Sequence, residues 1–236
     1  MKSSRLVIHI LWALIQIPVL LALGAQKRRS MIQSWAQRLL HILDVKLEVH
    51  HATDHHLREP ALWVANHISW LDIHVINAVS PVTFVAKSEV ARWPIFGYLA
   101  RAIDTIFIQR ERVTDLRRVL SEMVERFRLG KAVCIFPEGT SSEGREVLAF
   151  KSNLFQAAVS AKVPVLPIAI QYQLEGQFTS HTAFIGDMGL LESIRLIMDH
   201  PGITARLTFL ETLDASTNRQ ALMSAAHESI SSVLRG

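Results

Sequence analysis

A single cysteine in 236 residues leaves no intramolecular disulfide to form, which fits a reducing compartment. Cys134 stands inside the apolar run Ala132-Val133-Cys134-Ile135-Phe136, the setting of a buried core residue; a catalytic thiol needs an exposed, electropositive one. Metal signatures are scarce as well. Of 11 histidines, His50, His51, His55 and His56 crowd one segment, but none stands in an HExxH frame and no cysteine pair joins them. A solvated loop is their expected setting, and no metal is expected. The cations are scattered and the Arg-rich segments lack interleaved aromatics, which argues against a nucleic-acid partner. Internal repeats and low-complexity stretches are absent.

What the chain does have is apolar bulk and a modest positive balance. Lys and Arg number 25 against 21 Asp and Glu, a net charge of +4, and 50% of residues are hydrophobic. Basic and greasy together suggest an anionic membrane surface. The length suits one substantial core with a small appendage. Leu6 to Leu23 is apolar except for His9, Gln16 and Pro18. As a helix it reaches roughly 27 Å, slightly short of a hydrocarbon core of about 30 Å, and Pro18 is expected to kink it. Cations flank both ends, Lys2 and Arg5 before and Lys27, Arg28 and Arg29 after, which suits a segment that dips into the bilayer and returns. Met31, Ile32, Trp35, Leu39, Leu40, Ile42 and Leu43 then share one helical face, with Gln33, Ser34, Gln37, Arg38 and His41 on the other. That is an amphipathic helix fit to lie on a bilayer. Residues 1–43 are thus expected to form a two-helix anchor on a membrane lipid surface. A cleavable signal peptide ending near Ala22-Leu23-Gly24 competes, but three cations follow the site at once.

From Asp44 onward the pattern alternates. Strands are expected over 45–50, 62–65, 81–86, 105–108, 132–136, 165–172 and 204–210. Helices are expected over 72–79, 115–129, 152–162, 190–199 and 217–234, with Thr114 as N-cap and Gly130 as stop of the second. This predicts an α/β domain over 44–236, a mostly parallel mixed sheet flanked by helices.

In such sheets reactive groups gather at strand ends. His67 and Asp72 lie five apart in Asn66-His67-Ile68-Ser69-Trp70-Leu71-Asp72, just after the apolar run 61–65. On a regular helix residues five apart point in different directions, so they meet only if the chain turns between them. At such a turn the Asp72 carboxylate can fix the tautomer of His67 and leave its other nitrogen to take a proton from a hydroxyl. Taken alone the heptapeptide more often means a hydrogen-bonded structural histidine. Arg110 closes a second strand and fits an anionic head group or, equally, a surface ion pair with Glu111. A third strand breaks at Pro137 into a turn carrying Glu138, Gly139 and Thr140.

Together these pieces resemble the glycerolipid acyltransferase family, 1-acylglycerol-3-phosphate acyltransferase-like, over most of the chain after residue 60. Asn66, His67 and Asp72 match its first block. Phe107, Ile108 and Arg110 match the second, with Asp104 where a Gly usually sits. Phe136 to Thr140 match the third in full, and Val163, Pro164 and Pro167 the fourth. Lys87, in Phe84-Val85-Ala86-Lys87-Ser88-Glu89, stands where the family has a phosphate-binding Lys. The third block often continues with Arg; here it continues with Ser141.

The resemblance implies a transferase in which His67, held by Asp72, activates the hydroxyl of a lysolipid acceptor toward acyl-CoA or acyl-carrier protein. It implies phosphate binding by Lys87 and Arg110, an acceptor site shaped by Glu138, Gly139 and Thr140, and no cofactor beyond the acyl donor. The expected acceptor is 1-acyl-sn-glycerol 3-phosphate; Ser141 keeps lyso-ornithine lipid and other lysolipids open. A membrane-associated thioesterase and a non-catalytic lipid-binding protein are the rivals from other classes. The expected location is the cytoplasmic face of the inner membrane.

Overall fold

Trp63, Ala65 and Cys134 fall on one side of a sheet and Leu62, Val64, Val133 and Ile135 on the other, as the two-residue period of a strand requires. Because both sides are covered, these strands read as continuous apolar runs rather than alternating ones. The computed structural model describes residues 2–53, 60–109 and 113–235. Arg110 and Glu111, like His55 and His56, lie outside the described residues.

The strands are β1 (Lys46–His50), β2 (Leu62–Ala65), β3 (Thr83–Lys87), β4 (Ile106–Ile108), β5 (Val133–Ile135), β6 (Val165–Leu174), β7 (Gln177–Phe178) and β8 (Thr204–Phe209). They form one sheet in the order β1-β8-β6-β2-β5-β3-β4, with β7 folded back on β6. Pairing is parallel except where β7 and β8 run against β6. One face carries α2 (Ala25–Leu43), α3 (Leu71–Val79) and α7 (Leu190–Asp199), and the other α5 (Val113–Arg128), α6 (Gln156–Ala161) and α8 (Arg219–Arg235). The remaining helices are α1 (Lys2–Ala22) and α4 (Phe96–Ala102). The mostly parallel mixed sheet flanked by helices is as expected.

Details differ for local reasons. β3 starts at Thr83, whose N–H reaches Ala132 O, rather than at Pro81, which has no N–H to donate. α5 begins at Val113, so Thr114 lies within the helix instead of capping it. Gly130, at φ +71°, ends that helix as expected. The helix expected over 152–162 is a 3-10 turn, Asn153–Phe155, followed by α6.

α1 continues through Pro18. Leu6, His9, Ala13, Ile17 and Leu20 form its buried stripe, while Val7, Ile8, Leu11, Trp12, Ile15, Val19 and Leu21 are exposed. Both its ends touch the α/β part: Lys2 Nζ lies 3.3 Å from Asp44, and Ile17 and Leu20 cluster with Ala102, Leu99 and Ile103. α2 differs from the sequence expectation. Its apolar residues Ala36, Leu39, Leu40 and Leu43 are buried in the sheet's own core rather than turned to a bilayer. Its polar side chains serve α3: Gln33 donates to Val79 O at 2.8 Å, Gln37 to Ala78 O at 2.9 Å and Arg29 to Ser80 Oγ at 2.8 Å. Those carbonyls are among the last of α3, which lack partners within their own helix.

Register positions the site. Val64 of β2 lies opposite Ile135 of β5, so His67 and Glu138, each three residues further on, leave the sheet at the same depth. After β2 the chain turns to one face as α3; after β5 it goes to the other face as α6. The two connections diverge and leave a crevice at the strand ends, where α/β sheets place ligands.

Candidate active site

Beyond Ala65 the chain is fastened before it turns. Asn66 Nδ2 donates to Ile170 O at 3.0 Å and its Oδ1 accepts from Ile170 N at 2.8 Å, a two-point attachment to β6. The next residue, His67, is held on every side but one. Its N–H donates to Glu138 Oε1 at 2.6 Å, and its C=O accepts from Ser142 N at 2.9 Å. Its ring stacks on Phe136 with centroids 4.2 Å apart. Its Nδ1 lies 2.8 Å from Asp72 Oδ2. The carboxylate only accepts, so this contact assigns the proton to Nδ1 and the lone pair to Nε2. Nε2 has no hydrogen-bond partner among the described residues, and the side chain is 23% exposed.

Asp72 is fully buried, which a carboxylate tolerates only when its oxygens are occupied. Oδ2 also accepts from Ile68 N at 2.7 Å and Ser69 N at 2.9 Å, the turn between strand and helix that the five-residue spacing required. Oδ1 accepts from the hydroxyl of Tyr172 at 2.8 Å. Tyr172 is absent from the sequence expectation. The available signal was a tyrosine within the apolar strand 165–172, whose buried hydroxyl needs a partner.

The loop after β5 carries the third block. Gly139 takes φ +80° and its N–H returns to Phe136 O at 3.1 Å, a turn that side-chain-bearing residues rarely make. Glu138 is buried, with Oε1 on His67 N and Oε2 on Leu148 N at 2.9 Å. Burial pushes its pKa up to about 7, against the two N–H donors, which favour the ionised form. Thr140 is exposed, as is Lys87 at the end of β3. Arg110, expected to grip a phosphate, is outside the described residues. Asp104, where the resemblance expects Gly, has φ +70°, a conformation Asp adopts more readily than most residues. Burial disfavours its charge, but Lys131 at 2.9 Å and Arg126 at 2.8 Å outweigh that and lower its pKa. Ser141 donates to Phe184 O, and Phe184 N donates to Ile68 O at 2.9 Å, tying the 179–189 segment to both blocks.

An apolar cavity of about 180 Å³ lies between the N-terminal helices and α3 and α4. Ile17, Leu20, Trp35, Trp70, Phe84 and Leu99 are among its walls. Phe84 leads toward His67 by way of Phe136, the two phenyl rings stacking at 6.1 Å and Phe136 lying on the imidazole.

A buried carboxylate, an oriented imidazole with one open nitrogen and an apolar cavity linked to it through Phe84 and Phe136 suit general-base chemistry on a greasy substrate. A family model described as Acyltransferase matches residues 46–171, and the chain belongs to the acyltransferase family. It is 34% identical over 211 residues to a lyso-ornithine lipid O-acyltransferase of Pseudomonas aeruginosa, covering 89% of this chain and 80% of that protein. It is likewise 34% identical over 212 residues to a 1-acyl-sn-glycerol-3-phosphate acyltransferase of Neisseria meningitidis, covering 89% and 82%. The fold matches the crystal structure of the 1-acyl-sn-glycerophosphate acyltransferase of Thermotoga maritima with a TM-score of 0.68. That match covers 100% of this chain and 97% of the other at 22% identity, so it speaks to the fold alone.

Proposed function

We propose that this enzyme acylates the free hydroxyl of a lysolipid at a membrane surface, with 1-acyl-sn-glycerol 3-phosphate as acceptor and phosphatidic acid as product. The observation that carries this reading is His67, fixed at its N–H, its C=O, Nδ1 and ring face while Nε2 stays open. Nε2 takes the hydroxyl proton as the acceptor oxygen attacks the thioester carbonyl of acyl-CoA or acyl-carrier protein. The tetrahedral intermediate then collapses, the C–S bond breaks, and the imidazolium returns its proton to the departing thiolate. The substrate supplies the nucleophile, so no acyl-enzyme forms. Lys87 and Arg110 are assigned the acceptor phosphate, and Gly139 and Thr140 the crevice beside it. The apolar cavity offers room for an acyl chain.

The membrane is met through α1. Its outward side is apolar from Val7 to Leu21, and both its ends rest on the α/β part, which favours a helix lying in one leaflet over one that crosses the bilayer. Exposed Trp93, Ile95 and Tyr98 add apolar surface near α4. The cytoplasmic face, where the thioester donors are made, is the proposed side.

Ser141 favours a second acceptor. With Ser in place of the family's frequent Arg, the site has one cation fewer for a doubly charged phosphate, and lyso-ornithine lipid becomes the competing reading; the Pseudomonas relative carries that name.

His67→Ala should lose roughly two to four powers of ten in turnover while remaining folded and membrane-bound. Near-normal transfer by that variant would sink the proposal. Purified protein given lysophosphatidic acid, lysophosphatidylcholine and lyso-ornithine lipid, each with acyl-CoA or acyl-carrier protein, decides the acceptor and donor. Thioester consumption without any dependence on lysolipid would instead indicate a thioesterase.

A further inference from the structure

The two N-terminal helices enclose a second space that acyl transfer does not use. It is a groove of about 350 Å³ between α1 and α2, lined by His9, Trp12 and Gln16 from the first helix and by Ser30, Ser34, Trp35 and Arg38 from the second. Ser30, Ser34 and Arg38 recur every four residues and therefore share one face of α2. Ser30 Oγ donates to Gln26 O of its own helix at 3.2 Å, but neither core packing nor the reaction accounts for Ser34 and Arg38. Arg38 and Ser34 are exposed and make no hydrogen bond or ion pair among the described residues, unlike Arg28 and Arg29, whose guanidinium groups reach Ala102 O and Ser80 Oγ. The buried indole Nε1 of Trp35 likewise has no hydrogen-bond partner among the described residues. At the opposite rim stands Trp12, 52% exposed, on the same apolar surface of α1 as Ile8, Leu11 and Ile15.

Charge and greasiness therefore meet along one seam. A guanidinium offers forked donors that match phosphate oxygens, and the Ser34 hydroxyl adds a neutral donor beside it. Tryptophan is favoured at the level of lipid head groups. A ligand matching all of this has a phosphate joined to acyl chains. We propose that the groove binds the phosphate head group of an anionic phospholipid of the surrounding leaflet, with its chains along Ile8, Leu11 and Ile15. This rests on the membrane-surface reading of α1 given above. Trp35 also lines the acyl cavity, so the bound lipid and the reacting chain share a wall.

Native mass spectrometry of the full chain in detergent, incubated with dioleoyl phosphatidylglycerol, tests the proposal. One adduct is expected on the wild type and on Lys27→Gln, an exposed cation outside the groove. In Arg38→Gln the adduct should fall at least tenfold, and Ser34→Leu, which fills the groove with a side chain, should lose it without changing the thermal unfolding midpoint. Phosphatidylcholine should bind far more weakly, and excess inorganic phosphate should not displace the lipid. Adducts indifferent to Arg38 and Ser34, equal binding of phosphatidylcholine, or displacement by free phosphate would overturn the proposal. Co-sedimentation with vesicles of phosphatidylcholine and phosphatidylglycerol separates the two readings. Wild type that fails to sediment removes the membrane reading itself, whereas sedimenting protein with indifferent adducts removes only the groove.

Discussion

Tyr172 and Glu138 act on His67 from behind, one through Asp72 and one through the backbone. Tyr172→Phe removes the donor to Asp72 Oδ1 while keeping the ring that fills the core. A hydrogen bond to a charged group contributes about 1.5–3 kcal/mol, so turnover is expected to fall roughly tenfold or more with the fold intact. Unchanged turnover would show that the three donors on Oδ2 hold the carboxylate by themselves. Glu138 makes a pH prediction. Its carboxyl ionises near 4.5 when unfolded and near 7 when folded. Between those values the unfolded chain releases a proton that the folded one keeps, so stability declines as pH rises through that window and then levels off. The decline attributable to this group is about 3 kcal/mol. Denaturation in urea at a series of pH values should show it, and Glu138→Gln should flatten it.

The element of greatest consequence for the dyad is α3, with Asp72 in its first turn and its last carbonyls held by α2. Changing Gln33 and Gln37 together to Ala leaves those carbonyls to water. It should lower stability by about 1–2 kcal/mol, read as a shift in the urea midpoint, with a much smaller effect on turnover because the chemistry sits at the other end of the helix. Here the limit of sequence reading is visible. The amphipathic pattern of 31–43 states that two faces differ; it does not state what each face meets. The apolar face met the protein's own sheet, and two of the polar residues met a helix end instead of lipid head groups. α1 was easier to read, because an unbroken apolar run has only a core or a bilayer to enter and much of its surface remains outside the core.

At the scale of the whole molecule, strand and helix order was legible from periodicity except for α4 and β7, the His67–Asp72 pair from its spacing, and the Phe136–Thr140 loop from its Pro and Gly and the resemblance to the family's third block. Sheet order was not. β1 pairs with β8 at Lys46 and Thr204, and β8 runs against β6, because local pattern carries neither partner nor direction. Tyr172 escaped for the same reason, lying 100 residues from the carboxylate it serves. The one thiol, fully buried on β5 between Trp63 of β2 and Phe84 of β3, has burial pushing its pKa well up. Reagent therefore reaches Cys134 only when the middle of the sheet parts, and the chain carries its own clock for that event. Labelling by excess thiol reagent should proceed at the unfolding rate and quicken with urea, so that the half-time extrapolated to water is the native lifetime. Complete modification within the mixing time, with activity retained, would mean that the sheet opens locally at its centre.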